Sequence, residues 1–247
     1  MKPFLKRTFF SVAFLFLIFV GPVFAGPPFN TDDPEPVPFH HWEYYISSIN
    51  LYQAKSWSGT LPHFEVNYGV FHNMQVHLLL PLNYEAAPHV PTKYGYADTE
   101  VGVKYCFLSE TDSRPQVGTF PIVLVPTVRN ADFSDAKAKV FVPVWAQKSW
   151  DKLTTYGGAG YWFNPGTGHK NSVFAGWELQ YDFSDKLTLG GELYYQSPDA
   201  PDAQSAMAFN VGGSINPSEK FHFIFSVGHS LVHERFFSSY FGLLWTI

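Results

Sequence analysis

Short segments in which apolar and polar residues alternate strictly recur along the sequence, and this pattern limits the possible folds more than any other feature. In the segment 173–183, the odd positions carry Val, Ala, Trp, Leu, Tyr and Phe, whereas positions 178, 180 and 182 carry Glu, Gln and Asp. Successive side chains of a β-strand point to opposite faces, so a period of two predicts amphipathic strands. We predict about twelve of them, the first starting near Trp42. The other segments that show the pattern clearly are 63–70, 98–107, 187–196, 207–216 and 221–228.

The chemical character of the two faces separates a membrane barrel from a soluble sandwich, because both folds would show the same period. Aromatic residues make up 19% of the chain and charged residues only 15%, against about 25% charged residues in a typical soluble domain. The apolar faces are rich in Tyr, Trp and Phe, which suits the lipid-facing exterior of an outer-membrane barrel. We therefore predict an all-β fold, a transmembrane antiparallel up-and-down β-barrel. A secreted soluble β-protein is the alternative.

The N-terminus has the features of a secretory signal peptide. Basic residues precede an apolar run over residues 9–20, and residues 23–25 (VFA) suit a cleavage site. The run is shorter than the roughly 20 residues that a membrane-spanning helix needs. The predicted organisation, for export to the outer membrane of a Gram-negative bacterium, is a cleaved signal peptide at 1–25, a periplasmic N-terminal extension or plug at 26–41 and a transmembrane β-barrel at 42–247.

The lengths of the predicted links alternate along the chain. Links after even-numbered strands are mostly short, as at 71–73 and 184–186, whereas links after odd-numbered strands are longer, as at 54–60, 86–94 and 229–236. Outer-membrane barrels combine short periplasmic turns with longer outer loops. The alternation therefore predicts an even number of strands and places both ends of the mature chain in the periplasm.

At the residue level, the sequence resembles the outer-membrane family of transporters labelled as the meta-pathway of phenol degradation. The resemblance implies an exported, porin-like β-barrel that passes small hydrophobic or aromatic molecules. Fold alone does not fix a substrate, so this solute class is an expectation. Segments that carry the resemblance include 28–34 (PFNTDDP), 41–45 (HWEYY), 63–70 (HFEVNYGV), 98–105 (DTEVGVKY), 118–121 (GTFP), 143–145 (PVW), 155–158 (TYGG) and 189–192 (LGGE).

The polar faces of the predicted strands would line the lumen of a barrel. Their carboxylates outnumber their basic side chains, and rings of carboxylate favour cations or polar solutes over anions. Side chains fill a barrel of eight strands, whereas sixteen strands leave a channel, so about twelve strands fit either a permeation path or a packed polar core. The residues predicted to line the lumen are His63, Glu65, Asn67, Gln75, His77, Asp98, Glu100, Lys104, Glu178, Gln180, Glu192, Gln196, Asn210 and His222.

Acidic residues and prolines dominate the segment that precedes the first strand. Prolines disfavour a helix and favour an extended chain. We therefore predict that Asp32, Asp33 and Glu35 belong to a plug that folds back into the periplasmic mouth of the barrel. A tail that stays in the periplasm is the alternative.

Charge, cysteine content and motif spacing argue against several functions. The net charge of −5 falls to −8 when cleavage removes Lys2, Lys6 and Arg7, and nucleic-acid binding needs a basic surface. Cys106 is the only cysteine, so no internal disulfide can form. The sequence also lacks the His-x-Ser pattern of barrel lipid hydrolases. We predict no enzymatic activity, no metal, no cofactor and no nucleic-acid partner.

These features together predict a monomeric outer-membrane channel or transporter for small solutes, hydrophobic or aromatic ones included. Its partners would be outer-membrane lipid and the small-molecule solute. The alternative is a closed-lumen outer-membrane barrel that acts as a structural or surface-interaction protein without transport.

Overall fold

The structure, a computed structural model, describes residues 27–128, 133, 134, 136–233 and 235–247. The predicted signal peptide at 1–25 lies outside these residues. No helix in the described part of the chain is long and apolar enough to cross a membrane.

Strands account for most of the described residues, and no α-helix occurs among them. They are β1 (Trp42–Gln53), β2 (Ser56–Phe71), β3 (Met74–Ala86), β4 (Lys93–Tyr96), β5 (Thr99–Leu108), β6 (Gln116–Thr119), β7 (Ile122–Val125), β8 (Lys139–Trp150), β9 (Leu153–Phe163), β10 (Ser172–Ser184), β11 (Leu187–Gln196), β12 (Ala206–Ser218), β13 (Phe221–His233) and β14 (Phe236–Thr246).

These segments form one closed antiparallel barrel of twelve strands. β4 and β5 both pair with β3, so they are two parts of one barrel strand. β6 and β7 both pair with β5 and with β8, and they form a second divided strand. The ring closes between β1 and β14, from Glu43 opposite Thr246 to Gln53 opposite Phe236. The predicted fold class is confirmed, including the number of strands.

Both divided strands are interrupted near a proline. The β6–β7 interruption falls at Phe120 and Pro121, and Pro121 has no N–H with which to continue a ladder. Its carbonyl still accepts a hydrogen bond from the Val103 backbone N–H at 3.1 Å. The β4–β5 interruption lies at another level on the neighbouring barrel strand, where the Ala97 N–H donates to the Pro81 carbonyl of β3 at 3.1 Å. The wall therefore stays closed across both interruptions.

The two faces of the wall differ in the way that the sequence predicts. On β10, Trp177 is 59% exposed and Leu179 is 50% exposed, while the adjacent Glu178 is fully buried. Soluble monomers rarely expose a continuous apolar surface of more than a few hundred Å². An apolar exterior that runs around the whole barrel therefore suits a hydrocarbon environment, and the polar face of each strand points into the lumen.

The links at the two ends of the barrel differ in length, with two exceptions to the prediction. The short turns 72–73, 151–152, 185–186 and 219–220 share one end, which we call the short-turn end. The opposite end carries the longer links 87–92, 164–171 and 197–205. The prediction of longer links at 54–60 and 229–236 is wrong, because β1 and β2 are joined by two residues and so are β13 and β14. Ala54 and Lys55 take positive φ angles of 51° and 67°, as a tight hairpin turn requires.

Candidate functional site in the barrel lumen

The structure places the fourteen predicted lumen residues on or beside the inner face of the wall. Glu100 and Gln196 are partly buried and line an internal cavity. Asp98 is also partly buried, but it lies in the interruption between β4 and β5 rather than within a strand. The remaining eleven are buried: His63, Glu65, Asn67, Gln75, His77, Lys104, Glu178, Gln180, Glu192, Asn210 and His222.

A hydrogen-bonded cluster occupies the inner faces of β2, β3 and β5. His77 lies at its centre, with Nε2 3.1 Å from Glu100 Oε1 and Nδ1 2.7 Å from Asn67 Oδ1. Glu65 lies 3.5 Å from the same Nδ1 and also accepts a hydrogen bond from Asn67 Nδ2 at 2.9 Å. Among the residues that the structure describes, no group of three or more His, Cys, Asp or Glu side chains could hold a metal ion.

The N-terminal segment, residues 28–37, lies inside the barrel. It enters at the short-turn end, where the His40 N–H donates to the Gly69 carbonyl at 2.8 Å. The Val37 N–H then donates to Gln75 Oε1 at 2.7 Å on the neighbouring strand β3. The chain that precedes β1 therefore turns back into the lumen.

Farther in, the N-terminal segment crosses to the opposite wall. The backbone N–H groups of Asn30 and Thr31 donate to the two oxygens of Glu192, each at 2.8 Å. The Ser226 hydroxyl donates to the Pro28 carbonyl at 2.6 Å. Contacts on β3 at one end of the segment and on β11 and β13 at the other show that it spans the lumen.

One buried cation faces the carboxylates of the N-terminal segment. Lys104 Nζ lies 2.9 Å from Asp32 Oδ1 and 3.4 Å from Asp33 Oδ2. Glu35 accepts a hydrogen bond from Gln147 Nε2 at 3.2 Å. Burial raises the pKa of the Asp33 carboxyl, and the positive charge of Lys104 opposes that rise. Docking thus desolvates acidic groups at a cost, and Lys104 is the group that offsets it.

Glycines in the wall make room for the N-terminal segment. A Cβ at Gly69 would lie 2.1 Å from the Pro38 carbonyl oxygen, and a Cβ at Gly176 would lie 2.0 Å from Thr31 Oγ1. Real Cβ atoms are not found at such distances, so a side chain at position 69 would clash with the backbone of the segment, and one at position 176 would clash with the Thr31 hydroxyl. The glycines are a second sign, independent of the hydrogen bonds, that this chain is fitted to the wall.

On the side of the N-terminal segment away from the short-turn end, the lumen holds a cavity of about 490 Å³. The link 197–205 contributes to its rim, so it opens toward the end with longer links. Phe141 stacks on Trp162 with ring centroids 4.8 Å apart, and Trp145 meets the Phe174 ring edge to face at 6.2 Å. We call this space the aromatic cavity, after the seven aromatic residues that line it: Phe120, Phe141, Trp145, Trp162, Phe174, Tyr194 and Phe236.

A second cavity, of about 210 Å³, lies beside the first against β1, β2, β3 and β14. Asp32, Glu100 and Phe120 line both cavities, so the two spaces adjoin at these residues. Toward the short-turn end, by contrast, a pocket lined by Pro28, His222 and neighbouring residues holds only about 20 Å³. The N-terminal segment thus separates the open half of the lumen from a tightly packed half.

The inward-facing aromatic residues were not among the predicted site residues. The prediction assigned polar side chains to the lumen, whereas Trp145 is 1% exposed and faces inward from β8. A signal was present in the sequence, because residues 140–146 (VFVPVWA) are apolar without alternation. A strand that is apolar on both faces has a buried inner side as well as a lipid-facing one.

The comparisons with known proteins agree with this architecture. The structure is similar to that of the COG4313 outer membrane channel from Pseudomonas putida F1, with a TM-score of 0.66 and 15% sequence identity over 87% of this chain and 98% of that chain. It is also similar to the NanC porin, with a TM-score of 0.57 and 10% identity over 82% and 98% of the two chains. The KdgM porin matches with a TM-score of 0.55 and 13% identity over 81% and 98%.

These likenesses show the fold of outer-membrane β-barrels, since the identities are too low to show more. No protein-family model matches the sequence, and no curated protein matches it. The resemblance to the phenol-degradation family therefore stays a prediction.

Proposed function

We propose that this protein is an outer-membrane channel for small solutes and that its N-terminal segment gates the lumen. The observation that carries the proposal is the division of the lumen: a cavity of about 490 Å³ on one side of the segment and about 20 Å³ of space on the other. The segment is held by hydrogen bonds and by Lys104, without a covalent bond to the wall. Its release would join the two halves of the lumen.

The solutes that we propose are small hydrophobic molecules, with a preference for aromatic ones. Seven aromatic side chains line the larger cavity, and small-molecule sites of about 300–1,000 Å³ are typically lined by such side chains. The sequence resemblance to transporters of the phenol-degradation family supports the same class. We propose a monomer in the outer membrane, since its apolar exterior is continuous and the barrel closes on itself.

Swelling of proteoliposomes in matched solutes tests this proposal. Phenylalanine and cyclohexylalanine have the same charge and nearly the same size, but only the first has an aromatic ring. We expect faster swelling in phenylalanine. Equal rates would contradict the aromatic preference, and no swelling in either solute, with or without the N-terminal segment, would contradict the channel.

A second candidate function has one observation in its favour. Half of the lumen is packed, since Tyr45, Ile224, Tyr240 and Leu244 form a buried apolar cluster inside the barrel. A barrel whose N-terminal segment never leaves would be a structural or surface-interaction protein. Conductance measurements separate the two candidates.

Substitution of Lys104 by Met is expected to release the N-terminal segment and raise the conductance. The change leaves the buried Asp33 and the partly buried Asp32 without their cation, and breaking a buried ion pair from one side costs about 3–5 kcal/mol. Planar-bilayer recording measures the effect. Lys148→Met is the matched control, because Lys148 pairs with Glu110 at 2.8 Å instead of the segment. Similar conductance in both variants would show that Lys104 does not hold the segment.

A further inference from the structure

The aromatic cavity combines rings with carboxylates. Asp32, Glu100 and Asp199 line it, and the described residues that line it include no Lys, Arg or His. The side chains of Asp32 and Glu100 keep 20% and 17% of their surface exposed. A solute in the cavity can therefore approach negative charge but meets no positively charged side chain on its lining.

Each of the two inner carboxylates has a basic partner. Asp32 lies 2.9 Å from the ammonium of Lys104. Glu100 lies 3.1 Å from His77 Nε2, but His77 also faces Glu65 at 3.5 Å, so this one imidazole can compensate only one of the two carboxylates. Glu100 can therefore attract a positively charged solute, and it lies where the aromatic cavity adjoins the second one.

The rings are suited to the same kind of solute. A cation within about 6 Å of a ring centroid is attracted to the face of the ring, most strongly for Trp. One ring already makes this interaction, since Lys104 Nζ lies 5.2 Å from the centroid of Phe120. Trp145 and Trp162 line the same cavity.

From this juxtaposition we infer that the aromatic cavity binds a small aromatic solute that carries a positive charge, such as an aromatic ammonium compound. The inference rests on the proposed channel function and narrows its solute class. The ring of the solute would stack on Trp162 and Phe174, and its positive charge would be attracted to the carboxylate of Glu100. An aromatic carboxylate would stack equally well but would be repelled by the same carboxylates.

Equilibrium binding to the full-length protein in non-ionic detergent tests this inference without any transport. Phenyltrimethylammonium has both the ring and the charge, tetramethylammonium has only the charge, benzoate has the ring with the opposite charge, and benzyl alcohol has the ring alone. We expect phenyltrimethylammonium to bind about tenfold more tightly than each of the other three. Equal affinities for phenyltrimethylammonium and benzoate would overturn the inference.

Variants locate the binding in the cavity. Trp162→Leu and Glu100→Gln are each expected to weaken phenyltrimethylammonium binding about fivefold. Trp177→Leu removes an indole from the lipid-facing side of β10, and it should leave the affinity unchanged. Equal losses in Trp162→Leu and Trp177→Leu would place the binding outside the cavity and overturn the inference.

Recordings in bilayers separate failure of the inference from failure of the channel. If the protein conducts but binds the cationic and anionic probes with equal affinity, the channel function is retained and the cationic solute class is rejected. Selective binding of phenyltrimethylammonium without conductance, even after deletion of residues 28–36, would keep the site and reject the channel.

Discussion

Deletion of residues 28–36 is expected to raise the single-channel conductance several-fold. These residues carry Asp32, Asp33 and Glu35 and cross the lumen between β3 and β13. Without them, the aromatic cavity would join the space toward the short-turn end, and a lumen of twelve strands is wide enough for a path when it is not filled. Planar-bilayer recording in salt solution, with the full-length protein beside the deletion variant, measures the change.

A reversible disulfide cross-link between the N-terminal segment and the wall, which we call the lock, provides the control for this deletion. An ideal Cβ at Gly176 lies 3.1 Å from the Thr31 Cβ, slightly closer than the 3.5–4.5 Å of most disulfides. The pair Thr31→Cys and Gly176→Cys, in a Cys106→Ser background, should therefore cross-link after a small shift. We expect oxidation to abolish channel openings and reduction to restore them. Unchanged conductance on deletion, and the same openings with the lock oxidised and reduced, would show that the N-terminal segment is not a gate.

Substitution of Leu179 by Arg is expected to destabilise the barrel by about 2–4 kcal/mol in a lipid bilayer. Leu179 lies near the middle of β10 and is 50% exposed on the outer face. An arginine there would face hydrocarbon near the centre of the membrane. Denaturant unfolding in phospholipid vesicles, followed by tryptophan fluorescence, measures the free energy of unfolding.

The matched control lies on the same face of the same strand. Phe183 is 56% exposed and is next to the last residue of β10. Phe183→Arg should cost only about 0–1 kcal/mol, because its charge lies near the membrane interface. In a soluble protein both arginines would be solvated. An equal loss in the free energy of unfolding at the two positions would therefore contradict the membrane assignment and, with it, the proposed channel function.

The strand pattern was predictable because each strand has one lipid-facing side. The alternation around Glu178 and Gln180 assigns the faces of β10 from the sequence alone. The hairpin at Ala54 and Lys55 was not predictable in the same way. Both residues take positive φ angles, but neither is one of the Gly, Asn or Asp residues that usually mark such a turn. The predicted link was therefore too long.

The candidate site was predictable only in part, for a related reason. The alternation of apolar and polar residues within a strand predicts that Lys104 and Glu192 face the lumen. It gives no information about which distant residue lies opposite either side chain. The approach of Asp32 to Lys104 joins residues 72 positions apart, and it depends on closure of the whole barrel. The inner position of Trp145 was missed because aromatic residues suit both the lipid-facing side and the lumen.

The way in which the N-terminal segment is held has a consequence for the order of folding. Its hydrogen bonds join residues separated by 38 positions, at Val37 and Gln75, up to 198 positions, at Pro28 and Ser226. Contacts of such long range form late. The segment is synthesised before every strand, yet its partners are complete only when β13 has joined the sheet. During assembly it therefore stays accessible to proteases, and its protection from digestion marks the moment at which the barrel is finished.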